Sequence, residues 1–139
     1  MWSELTLDIL KANRGDCRGQ TAFEFFTLLM VAITFDTVLA DTGALIRGDN
    51  LGALNVALTL KATAHTMNGI ARELAWRRIV KGWQYRLKHL PAELNDEADA
   101  LSRLEASPKR DFPADALKGA SFVRPPKQDK LLWPARLVL

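Results

Sequence analysis

The feature that most constrains the fold is an unbroken apolar run, Phe25–Phe35, which is 11 residues long including two threonines. Glu24 and Asp36 bracket this run. A helix that spans a membrane needs roughly 20 apolar residues, so the run is too short and we expect no membrane insertion. Its apolar residues lie nearly all round a helix, which predicts a helix from Thr21 to about Phe35 buried on most faces.

The composition is that of one small intracellular domain. The chain has 139 residues, of which 48% are hydrophobic and 25% charged, enough to bury a core without crosslinks. Its single cysteine, Cys17, cannot form a disulfide within the chain, which argues against a secreted, disulfide-held scaffold. We therefore expect an intracellular location, without naming the compartment or excluding an organelle.

The charges divide the chain in two. Residues 1–107 carry 12 basic and 13 acidic side chains, whereas residues 108–139 carry seven basic and three acidic ones. The second region also contains Pro125, Pro126 and Pro134 and shows no hydrophobic periodicity, so it cannot build a core by itself. We predict a domain over 1–107 and a basic, proline-containing C-terminal tail over 108–139.

Hydrophobic periodicity indicates an α/β order of elements along the domain. The remaining segments are predicted as a helix at Ser3–Ala12, a strand at Thr42–Arg47, helices at Leu51–Lys61 and Thr66–Val80, a strand at Trp83–His89, and a helix from the N-cap Asn95 to about Leu104. A strand, two helices and a second strand predict a parallel pair joined by a right-handed crossover.

Three segments, in this order, resemble the ribonuclease H domain of retroelement polyproteins. They are Gly-Gln-Thr-Ala-Phe-Glu at 19–24, Arg-Gly-Asp-Asn-Leu-Gly-Ala-Leu at 47–54, and the run from His89 to Arg103. The third is the most specific, because it matches His, Pro, Asn and then Ala-Asp-x-Leu-Ser-Arg almost throughout. It departs at Ala92-Glu93, where the family usually has glycine after the proline. The resemblance covers roughly Trp2 to Leu104.

The resemblance implies hydrolysis of RNA in an RNA–DNA hybrid by two Mg²⁺ ions, which carboxylates hold on either side of the scissile phosphate. It implies that Glu24, Asp49 and Asp99 are the metal-binding carboxylates and that His89 assists turnover. The spacing agrees, because Asp49 and His89 follow predicted parallel strands, whose carboxyl ends bind ligands in open α/β sheets. Mg²⁺ is expected only if this site is retained, and otherwise no cofactor.

One expected part of the site has no counterpart in the sequence. The family's first strand carries an aspartate at the centre of both metal sites, and two more strands follow it. Asp8 is the only acid in the apolar stretch before Glu24, and that stretch is not typical of a strand. We therefore predict a partial, helix-rich ribonuclease H-like fold with at least two parallel strands, lacking the first three strands, and a degenerate active site.

A basic stretch with interleaved aromatic residues is a second candidate site. Between positions 72 and 88 one acid, Glu73, stands among six basic residues, namely Arg72, Arg77, Arg78, Lys81, Arg86 and Lys88. These could bind phosphates while Trp76, Trp83 and Tyr85 stack on bases. The alternative is that the aromatic residues belong to the core beside a solvated face.

The tail contains an apolar cluster of Leu131, Leu132 and Trp133. Large apolar side chains gain roughly 1.5–3 kcal/mol each on full burial, and the prolines prevent the tail from burying them alone. We expect this cluster to bind a larger protein or ribonucleoprotein assembly.

Three functions follow as hypotheses. The first is a non-catalytic structural or interaction protein, derived from a retroelement domain and serving as a subunit of a larger, RNA-containing assembly. The second is an active ribonuclease H that cleaves RNA in RNA–DNA hybrids. The third is a nucleic-acid-binding module without chemistry.

Overall fold

A computed structural model describes residues 7, 8, 10, 19–102, 118–121 and 123–126. Over these ranges the chain is helix-rich and mixed α/β, with two parallel strands. Its elements in chain order are α1 (Gln20–Thr34), α2 (Asp36–Asp41), β1 (Ala44–Gly48), α3 (Leu51–Thr59), α4 (His65–Lys81), β2 (Tyr85–His89), a short 3-10 helix (Ala92–Leu94) and α5 (Asp96–Ser102).

Helix α1 is the central helix of the core, as the apolar run predicts. Phe25, Phe26 and Leu29 are completely buried. The prediction of burial on most faces is too strong, because a row at i, i+4 and i+8 is exposed, including Val31 at 40% and Phe35 at 44%. The backbone leaves helical geometry at Phe35, and the unpredicted helix α2 follows.

The two strands form a parallel pair in which Ala44 pairs with Tyr85 and Gly48 with His89. This confirms the prediction of a strand ending just before Asp49 beside one ending near His89. Both strands begin two residues later than predicted. Before β1, Gly43 makes a turn with φ of 73°, and before β2 the left-handed Gly82 ends α4, so the first positions predicted as strand belong to turns.

The alternation of side chains gives the sheet two different faces. The inner face, formed by Ala44, Ile46, Tyr85 and Leu87, packs against the hydrophobic core. The opposite side chains, Leu45, Arg47, Arg86 and Lys88, are exposed, and we call this set the outer face. The sheet thus buries one surface and presents a mainly basic one.

The crossover between the strands consists of α3 and α4. The Asn50 side chain caps α3 by accepting a hydrogen bond from the Ala53 amide at 2.9 Å, a common way to satisfy a free N–H at a helix start. The helix ends at Thr59, before the predicted Lys61, because Leu60 adopts a left-handed conformation with φ of 56°. The α4 stripe holds as predicted, with Ile70, Ala71 and Leu74 fully buried.

Several predictions concern parts of the chain that lie outside the described residues. These are the domain boundary at 107/108 and the tail cluster of Leu131, Leu132 and Trp133. In the described ranges, no helix combines the length and apolarity needed to cross a membrane.

Candidate functional site

The carboxyl ends of the two strands bring two predicted site residues to the same edge of the sheet. Gly48 and His89 are register partners, and the Leu90 amide donates a hydrogen bond to the Gly48 carbonyl at 2.9 Å. Asp49 follows Gly48 directly. Asp49 and His89 are both exposed, so this edge, which we call the carboxyl edge, is accessible to a ligand.

Glu24 reaches this edge from helix α1. A close approach of α1 to α3 positions it, since a Cβ atom placed on Gly52 would come within 3.0 Å of Thr21 Cγ2. The half-buried Glu24 carboxylate accepts a hydrogen bond from Gln20 Nε2 at 2.7 Å. Glu24 also lines a cavity of about 170 Å³ with Leu28, Val31, Arg47, Gly48 and Asn50. The segments around Glu24 and Asp49 therefore meet.

Asp99 is half-buried on α5, where its amide donates to the Asn95 carbonyl at 3.0 Å. In the part of the chain that the structure describes, no group of three His, Cys, Asp or Glu side chains is close enough to hold a metal ion. Ligation of Mg²⁺ by Glu24, Asp49 and Asp99 therefore stays a prediction.

The segment that precedes α1 is helical wherever it is described. Leu7 and Leu10 are buried, and Asp8 between them is exposed, with helical backbone at all three positions. This matches the short helix predicted there. Asp8 is consequently not a strand-borne aspartate of the kind that the resemblance implies for the centre of a two-metal site.

The predicted basic stretch does not form a single patch. Arg77 points inward, where its Nε lies 2.7 Å from Glu73 Oε1, and the two side chains are only 13% and 1% exposed. Lys81 Nζ lies 3.4 Å from Asp36 Oδ2, and the same carboxylate accepts a hydrogen bond from the Trp83 indole. Two of the six basic residues thus stabilise the fold through ion pairs, while Arg72 is exposed on α4.

The aromatic residues of this stretch differ in their surroundings. Trp83 is 3% exposed and belongs to the core, so it is not available to stack on a base. Tyr85 is half-buried, and the Arg78 guanidinium carbon lies 4.8 Å from the centre of its ring, in the range of a cation–π contact. Burial raises the pKa of Tyr85, and the positive charge of Arg78 partly offsets this effect.

Arg86 and Lys88 lie on the outer face with a third cation that the sequence analysis missed. The strand register places Arg47 directly beside Lys88. Like charges opposite one another in a sheet are unfavourable. No ion pair joins Arg47, Arg86 or Lys88 to an acidic side chain within the described ranges. The parallel pairing is the signal that could have found Arg47, because it brings distant strand positions together.

Comparisons with known protein families, curated proteins and solved structures give no match to this chain.

Proposed function

We propose that this chain is a non-catalytic structural or interaction protein, derived from a retroelement ribonuclease H domain, that serves as a subunit of a larger RNA-containing assembly. Its fold would be a partial ribonuclease H-like fold without the first three strands. The family motifs support this derivation through their positions. The segments ending in Glu24 and containing Asp49 pack together, and the segment starting at His89 is paired with Gly48.

The observation that carries the RNA-binding part of the proposal is the outer face. Arg47, Arg86 and Lys88 are exposed on adjacent strands with Leu45 as their apolar neighbour. Three unneutralised cations at neighbouring positions repel one another, and a phosphate backbone would relieve that repulsion. Phosphate contacts of this kind give affinity without sequence preference, which suits a structural subunit.

We expect the double variant Arg47→Gln/Lys88→Gln to bind RNA more weakly and with less salt dependence. Each lost contact to a single strand lowers the slope of log K against log salt by about 0.7, so the slope should fall by about 1.4. Fluorescence anisotropy of a labelled RNA oligonucleotide over a salt series measures both quantities. Lys61→Gln removes an exposed charge elsewhere and should leave both unchanged. An unaltered slope in the double variant would contradict RNA binding at the outer face.

An active ribonuclease H is the second candidate, and the carboxyl edge favours it. Glu24, Asp49 and His89 all lie at or beside that edge, so residues of the implied reaction are near one another. The proposed non-catalytic function and this alternative make opposite predictions about hydrolysis.

We expect the full chain to leave an RNA–DNA hybrid intact in Mg²⁺ or Mn²⁺, because the implied first-strand aspartate has no counterpart in the helical segment around Asp8. A denaturing gel of a labelled hybrid detects cleavage. Asp49→Asn and Asp41→Asn form a matched pair, since both aspartates are exposed but only Asp49 is at the carboxyl edge. Cleavage that Asp49→Asn abolishes and Asp41→Asn preserves would establish the enzyme instead.

A further inference from the structure

A second and larger cavity lies at the opposite end of the sheet, where the strands begin. It has a volume of about 560 Å³, within the range of small-molecule sites in proteins. We call it the amino-end pocket. Its lining includes Thr42, Leu45, Arg78, Gln84, Tyr85 and Arg86.

The charge of the amino-end pocket is positive. Two arginines line it, and none of its described lining residues is acidic. Neither Arg78 nor Arg86 forms an ion pair with an acidic side chain in the described part of the chain. Their charges are therefore available to an anionic ligand, in contrast to Arg77, which Glu73 neutralises.

Arg78 is held in a defined position beside the pocket. Its backbone carbonyl, in the last turn of α4, accepts hydrogen bonds that close the helix, one of them from the Trp83 amide at 3.0 Å. Its guanidinium lies over the Tyr85 ring. A guanidinium fixed on an aromatic ring offers a flat, charged surface, and nucleic-acid bases stack on guanidinium planes and aromatic rings.

We propose that the amino-end pocket binds one unpaired nucleotide of a single-stranded nucleic acid, with its base stacked on Arg78 and its phosphate paired with Arg86. A base within a duplex is already stacked and cannot enter, so the pocket selects single strands. This inference rests on the proposed RNA-binding function and adds a base-dependent site to it. Leu45 and Arg86 belong to both the outer face and the pocket, so one strand can follow the outer face into the pocket.

The test compares a labelled single-stranded oligonucleotide with an abasic oligonucleotide of the same length and phosphate number. Stacking on one base supports a preference of about fivefold or more for the base-bearing strand. Arg78→Ala should erase this preference. Arg78→Lys keeps the charge but not the plane, so it should lose the preference while retaining the salt dependence. Lys61→Ala is the control and should keep both, and circular dichroism confirms that each variant is folded.

Equal binding of the two oligonucleotides by the unaltered chain would overturn the proposal, as would a preference that persists in folded Arg78→Ala and Arg78→Lys. A duplex of the same sequence that binds as tightly as the single strand would also overturn it. In each case the salt dependence carried by Arg47 and Lys88 can still be present, so failure of the pocket is distinguishable from failure of RNA binding at the outer face. If neither oligonucleotide binds, both proposals are wrong.

Discussion

Replacing Arg77 by leucine should lower the free energy of unfolding by about 3–5 kcal/mol, the usual cost of removing one partner from a buried ion pair. The Glu73 side chain is 1% exposed and lies against the Arg77 guanidinium at 2.7 Å. Without Arg77, its negative charge would remain in the core with too little compensation. Equilibrium unfolding in urea measures the change, which is a large part of the roughly 5–15 kcal/mol typical of a domain.

Two further variants isolate the ion pair. Arg72→Leu alters an exposed arginine on the same helix and should change stability by no more than about 0.5 kcal/mol. The double variant Glu73→Leu/Arg77→Leu removes both charges and should recover most of the loss, because apolar replacement of a whole buried pair is often neutral or stabilising. Equal stabilities of Arg77→Leu and Arg72→Leu would show that the inward pair contributes nothing.

The second large effect is expected at the centre of the core. Phe25 is completely buried on α1, and Phe25→Ala should cost about 3–5 kcal/mol, because it removes apolar contacts and leaves a cavity. Thermal and urea unfolding both report this loss. If the alanine variant does not fold, Phe25→Leu should still fold with a smaller loss.

Phe35 gives a matched control for Phe25. It follows the same helix but is 44% exposed, so Phe35→Ala should cost much less than Phe25→Ala. Comparable losses at the two positions would mean that burial of α1 is not what stabilises the domain.

The fold elements that could be predicted from sequence are those with a local signal. The apolar run specified α1, and the alternation of residues 83–89 gave the inward and outward sides of β2. The chain direction in two strands joined by two helices indicated parallel pairing, which the register confirms. Helix α2 escaped prediction because the apolar pattern runs through Phe35 without a recognisable break, although the backbone turns there.

The candidate sites show why residue type alone was insufficient. Arg77 and Arg78 are neighbours in the sequence, yet one pairs with a buried carboxylate and the other lies over a tyrosine ring. Their directions depend on how α4 is rotated against the core, which a row of basic residues does not reveal. Arg47 could join Arg86 and Lys88 only through the strand register, a long-range property. The carboxyl edge was easier to predict, because Asp49 and His89 each follow a strand end.

The arrangement of the two strands also governs the order in which the chain acquires its structure. The first pair of the sheet joins Ala44 to Tyr85, so all of α3 and α4 lies in the loop that this pair closes. Closing such a loop costs chain entropy before any strand hydrogen bond forms, and distant contacts of this kind slow folding. Helices with nearby contacts form first, and the sheet is completed late. Substitutions in β1 and β2 should consequently accelerate unfolding more than they retard folding.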